Sequence, residues 1–169
     1  LLEGVQLWVN LPKAFKMTAP RYQTLLSSEI PAVDLGEGPG RLRVIAGEFR
    51  GVTGPAKTFS PVHLYDLHLA AGHRIELDLP EGFNSSLFVL HGQVLVNGAQ
   101  TVGEVEIGLF GQRGERVVLE AKQDATMLVL SGEPIAEPVA RYGPFVMNTR
   151  DEIIQAVQDY QAGRMGHLS

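Results

Sequence analysis

Between Gly40 and Gly132 the chain reads as one short extended run after another, each closed by glycine or proline or by a polar turn. RLRVIAGEF (41–49), VHLYDLHLA (62–70), HRIELDLP (73–80), SLFVLHG (86–92), QVLVNG (93–98), EVEIGLFG (104–111), ERVVLEA (115–121) and ATMLVLSG (125–132) carry β-branched or alternating apolar residues. A period near two over so few residues marks half-buried strands, and eight of them at this spacing predict an antiparallel sandwich or barrel. Between them AAGH, PEGFN, VNGAQ and GQRGE supply the residues that turn a chain at positive φ, as tight hairpins require.

The ends of the chain behave differently. VQLWVNL (5–11) alternates, which predicts a strand with Val5, Leu7 and Val9 on one side and Trp8 on the other. The segment from Pro12 to Val33 holds three prolines and no sustained period, so it reads as an extended connector with one short turn. Near the other end, Thr149 and Glu152 form a capping box, Ile153, Ile154, Val157 and Tyr160 recur on one helical face, and Gly163 stops the run; a helix over about 149–162 follows. Trp8, Phe145, Met147 and that stripe are more apolar than a free surface requires. Either they pack against a second domain or partner, or they close this domain's own core.

Composition excludes several function classes. A chain of 169 residues fits one domain, and no apolar run approaches the roughly 18 residues that span a bilayer. The formal net charge is -5 with no lysine and arginine cluster, so neither nucleic acid nor a membrane is an expected partner. Cysteine is absent, which removes disulfides, thiolate nucleophiles and cysteine zinc sites. No signal-like segment opens the sequence, so a cytoplasmic location is the default. The first residues are Leu1-Leu2-Glu3 rather than methionine, which suggests a fragment.

GFNSSLFVLHGQVLVNG (82–98) is similar to the central turn of the cupin fold, a small jelly-roll barrel around one site. GVQLWVNLP (4–12), RVIAGEFRGVTGP (43–55) and YGPFVMNTRDEIIQAVQDYQAGRMG (142–166) resemble the second half of the pirin family, in that order along the chain. The resemblance implies an all-β antiparallel jelly-roll barrel with a C-terminal α-helix. Residues 1–34 would be the strand and connector leading out of an absent N-terminal cupin, and residues 35–169 the C-terminal cupin. It also implies that iron, or another divalent transition metal, sits on three histidines and a glutamate of that N-terminal half, none of them in this chain. The intact protein would be a metal-dependent quercetin 2,3-dioxygenase or a regulatory protein. Its partners would be the N-terminal cupin half, a metabolic enzyme or a transcription regulator.

A metal-binding cupin would place a glutamate seven residues before Gly92; this chain has Ser85 there, no histidine pair in LDLPEGF upstream, and no histidine in EIGLFGQRGERVVLEA downstream. Serine, leucine and valine do not replace imidazole and carboxylate ligands. No catalytic or cofactor-binding residue is therefore assigned. One alternative ligand set remains. Alternation from Ser85 sends Leu87, Val89 and His91 inward, while Asp66 and His68 share the face opposite Tyr65, Leu67 and Leu69. A metal on Asp66, His68 and His91 competes with the plainer reading of a strand-end histidine and two solvated side chains. His63 and His73 sit beside turns and receive no role. Ser85 and Ser86 lack a nucleophile elbow, and GEGPG (36–40) lacks the lysine of a phosphate loop.

Overall fold

In a computed structural model the described residues are 4–35 and 40–165, so most of the GEGPG stretch lies outside them. They fall into two compact units, Gln23–Pro134 and Leu1–Tyr22 with Ile135–Ser169.

The larger unit holds twelve strands: β1 Ala32–Asp34, β2 Gly40–Ala46, β3 Glu48–Phe49, β4 Val52–Thr53, β5 Val62–Leu69, β6 Arg74–Asp78, β7 Asn84–His91, β8 Val94–Val96, β9 Gln100–Val102, β10 Ile107–Leu109, β11 Arg116–Ala121 and β12 Ala125–Gly132. One sheet has the order β1-β2-β5-β12-β7-β10 and a second the order β6-β11-β8-β9, with β3 and β4 as a separate pair. Every pairing is antiparallel. Alternation works as expected on the long strands: Leu42, Val44, Tyr65, Leu67, Leu87, Val89, Met127 and Val129 are fully buried from the first sheet, and Leu77, Val94 and Leu119 from the second. Burial of this many side chains at about 1.5–3 kcal/mol each is the main force holding the two sheets together.

The expected barrel is not closed by hydrogen bonds. The sheets end in β10 and β9, which do not pair. The turns also do a different job from the one their sequence suggests. Gly72, Gly82, Gly92 and Gly114 all have positive φ, but each passes the chain from one sheet to the other, as at β7 to β8. Asn97-Gly98-Ala99, by contrast, closes a hairpin linking Val96 to its partner Gln100, as Arg50-Gly51 does between Phe49 and Val52. A glycine at positive φ serves a hairpin and a corner equally, so composition alone cannot separate them.

Among the described residues the smaller unit contains a 3-10 turn at Lys13–Phe15, the hairpin of β13 Ala140–Tyr142 and β14 Phe145–Met147, and the helix α1 Arg150–Gln161. The strand expected over 5–11 does not form: residues 4–12 make no ladder with any described strand, and Val5, Leu7 and Val9 stay about half exposed. Alternation without a neighbouring edge is insufficient for a strand. The capping box is present as read, with Thr149 Oγ1 accepting from the Glu152 amide at 3.2 Å and Glu152 accepting from the Thr149 amide at 2.9 Å. Gly163 follows at φ 69.

Candidate functional site

Ser85 and Ser131 lie at the inner end of the six-stranded sheet, opposite each other on β7 and β12. Their hydroxyls are 2.8 Å apart. Ser85, seven residues before Gly92, thus has its hydroxyl already committed to a buried neighbour. His63 follows across the same row on β5. Its ring packs edge-on to Phe83, and its Nδ1 lies 2.9 Å from the Tyr65 hydroxyl. That hydroxyl also donates to the Glu48 carbonyl at 2.6 Å. A carbonyl can only accept, so the phenol proton is used there and His63 Nδ1–H must be the donor to the phenol oxygen. Burial pushes the His63 pKa down, against a smaller opposing pull from Glu48, and pushes Tyr65 up to about 12 with help from Glu48.

These interior pairs, His63 with Tyr65 and Ser85 with Ser131, were not visible in the sequence. One available signal was Tyr65 itself, since a phenol in an apolar strand face needs a hydrogen-bond partner.

Asp66, His68 and His91 face the other way. Asp66 and His68 do oppose Tyr65 and Leu67 as alternation requires, but Asp66 is buried at 7% exposure rather than solvated. Arg43, its cross-strand partner on β2, covers it: Nε donates to Oδ2 at 2.7 Å, Nη2 adds a second contact, and Nη1 donates to Ser27 Oγ at 3.0 Å. His91 does not point inward. The register slips between Thr126 and Met127, which face His91 and Val89, so Leu90 is an extra residue and the alternation is lost at the end of β7. His91 is exposed on the outer face, with Nδ1 3.7 Å from Glu104. Arg41, His68, Thr126 and His91 therefore form one row across β2, β5, β12 and β7, along a groove of about 610 Å³. Thr126 Oγ1 sits 3.1 Å from His68 Nδ1, and His68 Nε2 is 3.5 Å from Asp66.

Among the described residues no group of three or more His, Cys, Asp or Glu side chains stands close enough to hold a metal ion. Asp66, His68 and His91 do not make such a group. The donors present do not fit a cupin metal.

Of the candidates for an interface, Trp8, Ile154 and Tyr160 are exposed, Phe145, Met147 and Val157 half-buried, and Ile153 buried. Ala156 replaces Ile154 on the buried face of α1.

The sequence model of the pirin C-terminal cupin domain matches residues 64–166. The chain belongs to the pirin family. It is 50% identical over 163 residues to the Pseudomonas aeruginosa protein named "Putative quercetin 2,3-dioxygenase PA2418", covering 96% of this chain and 57% of that protein. It is 41% identical over 165 residues to the "Pirin-like protein" of Caulobacter vibrioides, covering 96% of this chain and 59% of that protein. The crystal structure of a quercetin 2,3-dioxygenase from Acinetobacter baumannii superposes with a TM-score of 0.91 at 40% identity, over 96% of this chain and 56% of that one. The pirin chain described here thus spans less than two thirds of the length of these relatives. Its fold is cupin-like and mostly β with one C-terminal helix, and no helix among the described residues is long and apolar enough to cross a membrane.

Proposed function

We propose that this pirin cupin is a non-catalytic body that supports a metal-binding cupin or another protein, in a pirin-like quercetin 2,3-dioxygenase or regulatory pirin. The observation that carries the reading is Ser85. At the position where a metal-binding cupin needs a carboxylate, this chain has a hydroxyl bonded to Ser131 at 2.8 Å. The relatives named as quercetin 2,3-dioxygenases support the activity proposed for the whole protein. Iron or another divalent transition metal would then be held by residues other than those of this cupin. The exposed Trp8, Ile154 and Tyr160, together with Phe145, Met147, Ile153 and Val157, would form the side of the smaller unit that meets a partner, whether a second cupin, a metabolic enzyme or a transcription regulator.

The test is the metal content of the 169-residue chain after anaerobic incubation with Fe(II) and removal of loose metal. Less than about a tenth of an equivalent, with no oxidation of quercetin by the loaded chain, agrees with the proposal. Near one equivalent, lost on His68→Ala or His91→Ala, overturns it in favour of a small metalloenzyme using Asp66, His68 and His91.

A further inference from the structure

The failure of β9 and β10 to pair leaves a cavity of about 1010 Å³ lined by both edges. Ligand pockets usually run to roughly 300–1,000 Å³, with apolar walls and a few placed polar groups. This one lies at the upper end of that range, and its walls are mixed, with Asn97, Gln100, Thr101 and Gln112 standing among the apolar side chains. Leu79, Phe83, Val96, Val102, Phe110 and Val117 line it, and Ser85 reaches it from β7. Ser131, its hydrogen-bond partner, is sealed behind it, so Ser85 is the member of the pair that can meet a ligand.

Three charged side chains line the cavity as well: Arg113, Arg116 and Glu106. Arg116 is neutralised, with Nε 3.1 Å from Asp78 and Nη1 3.4 Å from Glu76. Glu106 accepts from the Gly103 amide at 2.7 Å, within its own turn. Arg113 makes no ion pair and no side-chain hydrogen bond among the described residues. A guanidinium left without a partner beside a cavity with an apolar stretch of wall matches one carboxylate, which it can take with two parallel hydrogen bonds. A dianionic phosphate would want a second free cation and would meet Glu106.

We propose that the cavity between β9 and β10 binds an organic monocarboxylate with an apolar body, its carboxylate on Arg113 and its body between the walls at Phe83 and Phe110. The site uses no metal ligand. It adds a small-molecule function to a cupin whose metal positions are filled by Ser85 and apolar residues, and it stands or falls independently of the metal content of the chain.

The experiment is a titration of the 169-residue chain, with chelator present, followed through its leucine and valine methyl resonances. Sodium 2-naphthoate and sodium decanoate serve as acids with a flat and an extended body, and 2-naphthylmethanol as the neutral counterpart. Saturable shifts at Leu79, Val96, Val102 and Val117 are expected with at least one acid, about tenfold tighter than with the alcohol. Naphthoate alone would mark a flat ligand, decanoate alone an extended one, and both an unselective apolar body. Arg113→Gln, at an exposed position, should leave the thermal midpoint unchanged and abolish the preference for acid over alcohol. The proposal is overturned if neither acid gives saturable shifts at those methyls, if the alcohol binds as tightly as the acids, or if Arg113→Gln retains the preference.

Discussion

Ser85 Oγ and Ser131 Oγ are 2.8 Å apart across adjacent strands, so one hydroxyl donates to the other inside the larger unit. Removing Ser85 strands the buried Ser131 hydroxyl, whereas removing both does not. Ser85→Ala is expected to cost about 1–3 kcal/mol, and Ser131→Ala less, because Ser85 still faces the cavity. The double variant should cost clearly less than their sum, and equilibrium denaturation of the four proteins measures that difference. Strict additivity would show that the two hydroxyls are not coupled.

The Arg43 and Asp66 pair on the outer face obeys the same asymmetry at higher stakes. Arg43→Ala leaves a carboxylate at 7% exposure with only the His68 ring, Nε2 at 3.5 Å, beside it in place of the guanidinium. Loss of one partner of a buried pair costs about 3–5 kcal/mol, and the partial exposure of Arg43 lowers the expectation to about 2–3 kcal/mol. Arg43→Met with Asp66→Leu should recover most of it in the same denaturation assay. A double variant no more stable than Arg43→Ala would contradict the account.

Gly92 turns the chain from β7 in one sheet to β8 in the other at φ 81, and a Cβ there would lie 2.2 Å from the Asp124 carbonyl oxygen. Conformational strain and overpacking act together, so Gly92→Ala should cost about 2–5 kcal/mol. At Gly98, in the Val96 to Gln100 hairpin, a Cβ meets nothing within 4 Å, so only the positive φ resists substitution. Gly98→Ala should be the milder variant by thermal denaturation; equal losses would count against the close approach at Gly92.

His63 and Tyr65 predict opposite pH limits. The His63 pKa is lowered on folding by burial, so the unfolded chain takes up a proton first as pH falls below the ordinary value of 6.5. Stability contributed by the neutral ring is present above that value and drains away as pH falls toward the folded pKa. Tyr65 is raised from 10.0 to about 12, so its contribution is full below pH 10 and is lost as pH rises toward 12. Denaturant midpoints against pH should show both slopes. His63→Phe should flatten the acid one and Tyr65→Phe the alkaline one, and a variant that leaves its slope unchanged refutes that assignment.

What the sequence revealed and what it hid divide along one physical line. Local periodicity placed β2, β5, β7, β11 and β12 and the capped helix, because alternation and capping are properties of neighbouring residues. It failed where long-range pairing decides. Val5, Leu7 and Val9 alternate without an edge to join, and the four corner glycines look like hairpin residues. His91 reads as inward until the register slip opposite Thr126 turns it out, and Asp66 reads as solvated until Arg43 and Ser27 close over it. Ser85 and its seven-residue distance from Gly92 were legible in the sequence. Its partner Ser131, 46 residues away, was not.

The open seam between β9 and β10 also bears on how the molecule avoids its own kind. Each border strand shows a row of backbone amides and carbonyls that no described strand covers, the usual template for intermolecular sheet growth. Both strands are only three residues long, and Val105 at φ 61 kinks the path just before β10. An intruding chain could register over about half of an ordinary strand of five to six residues before losing its partner. The seam can therefore stay open to small molecules without becoming a nucleus for fibrils.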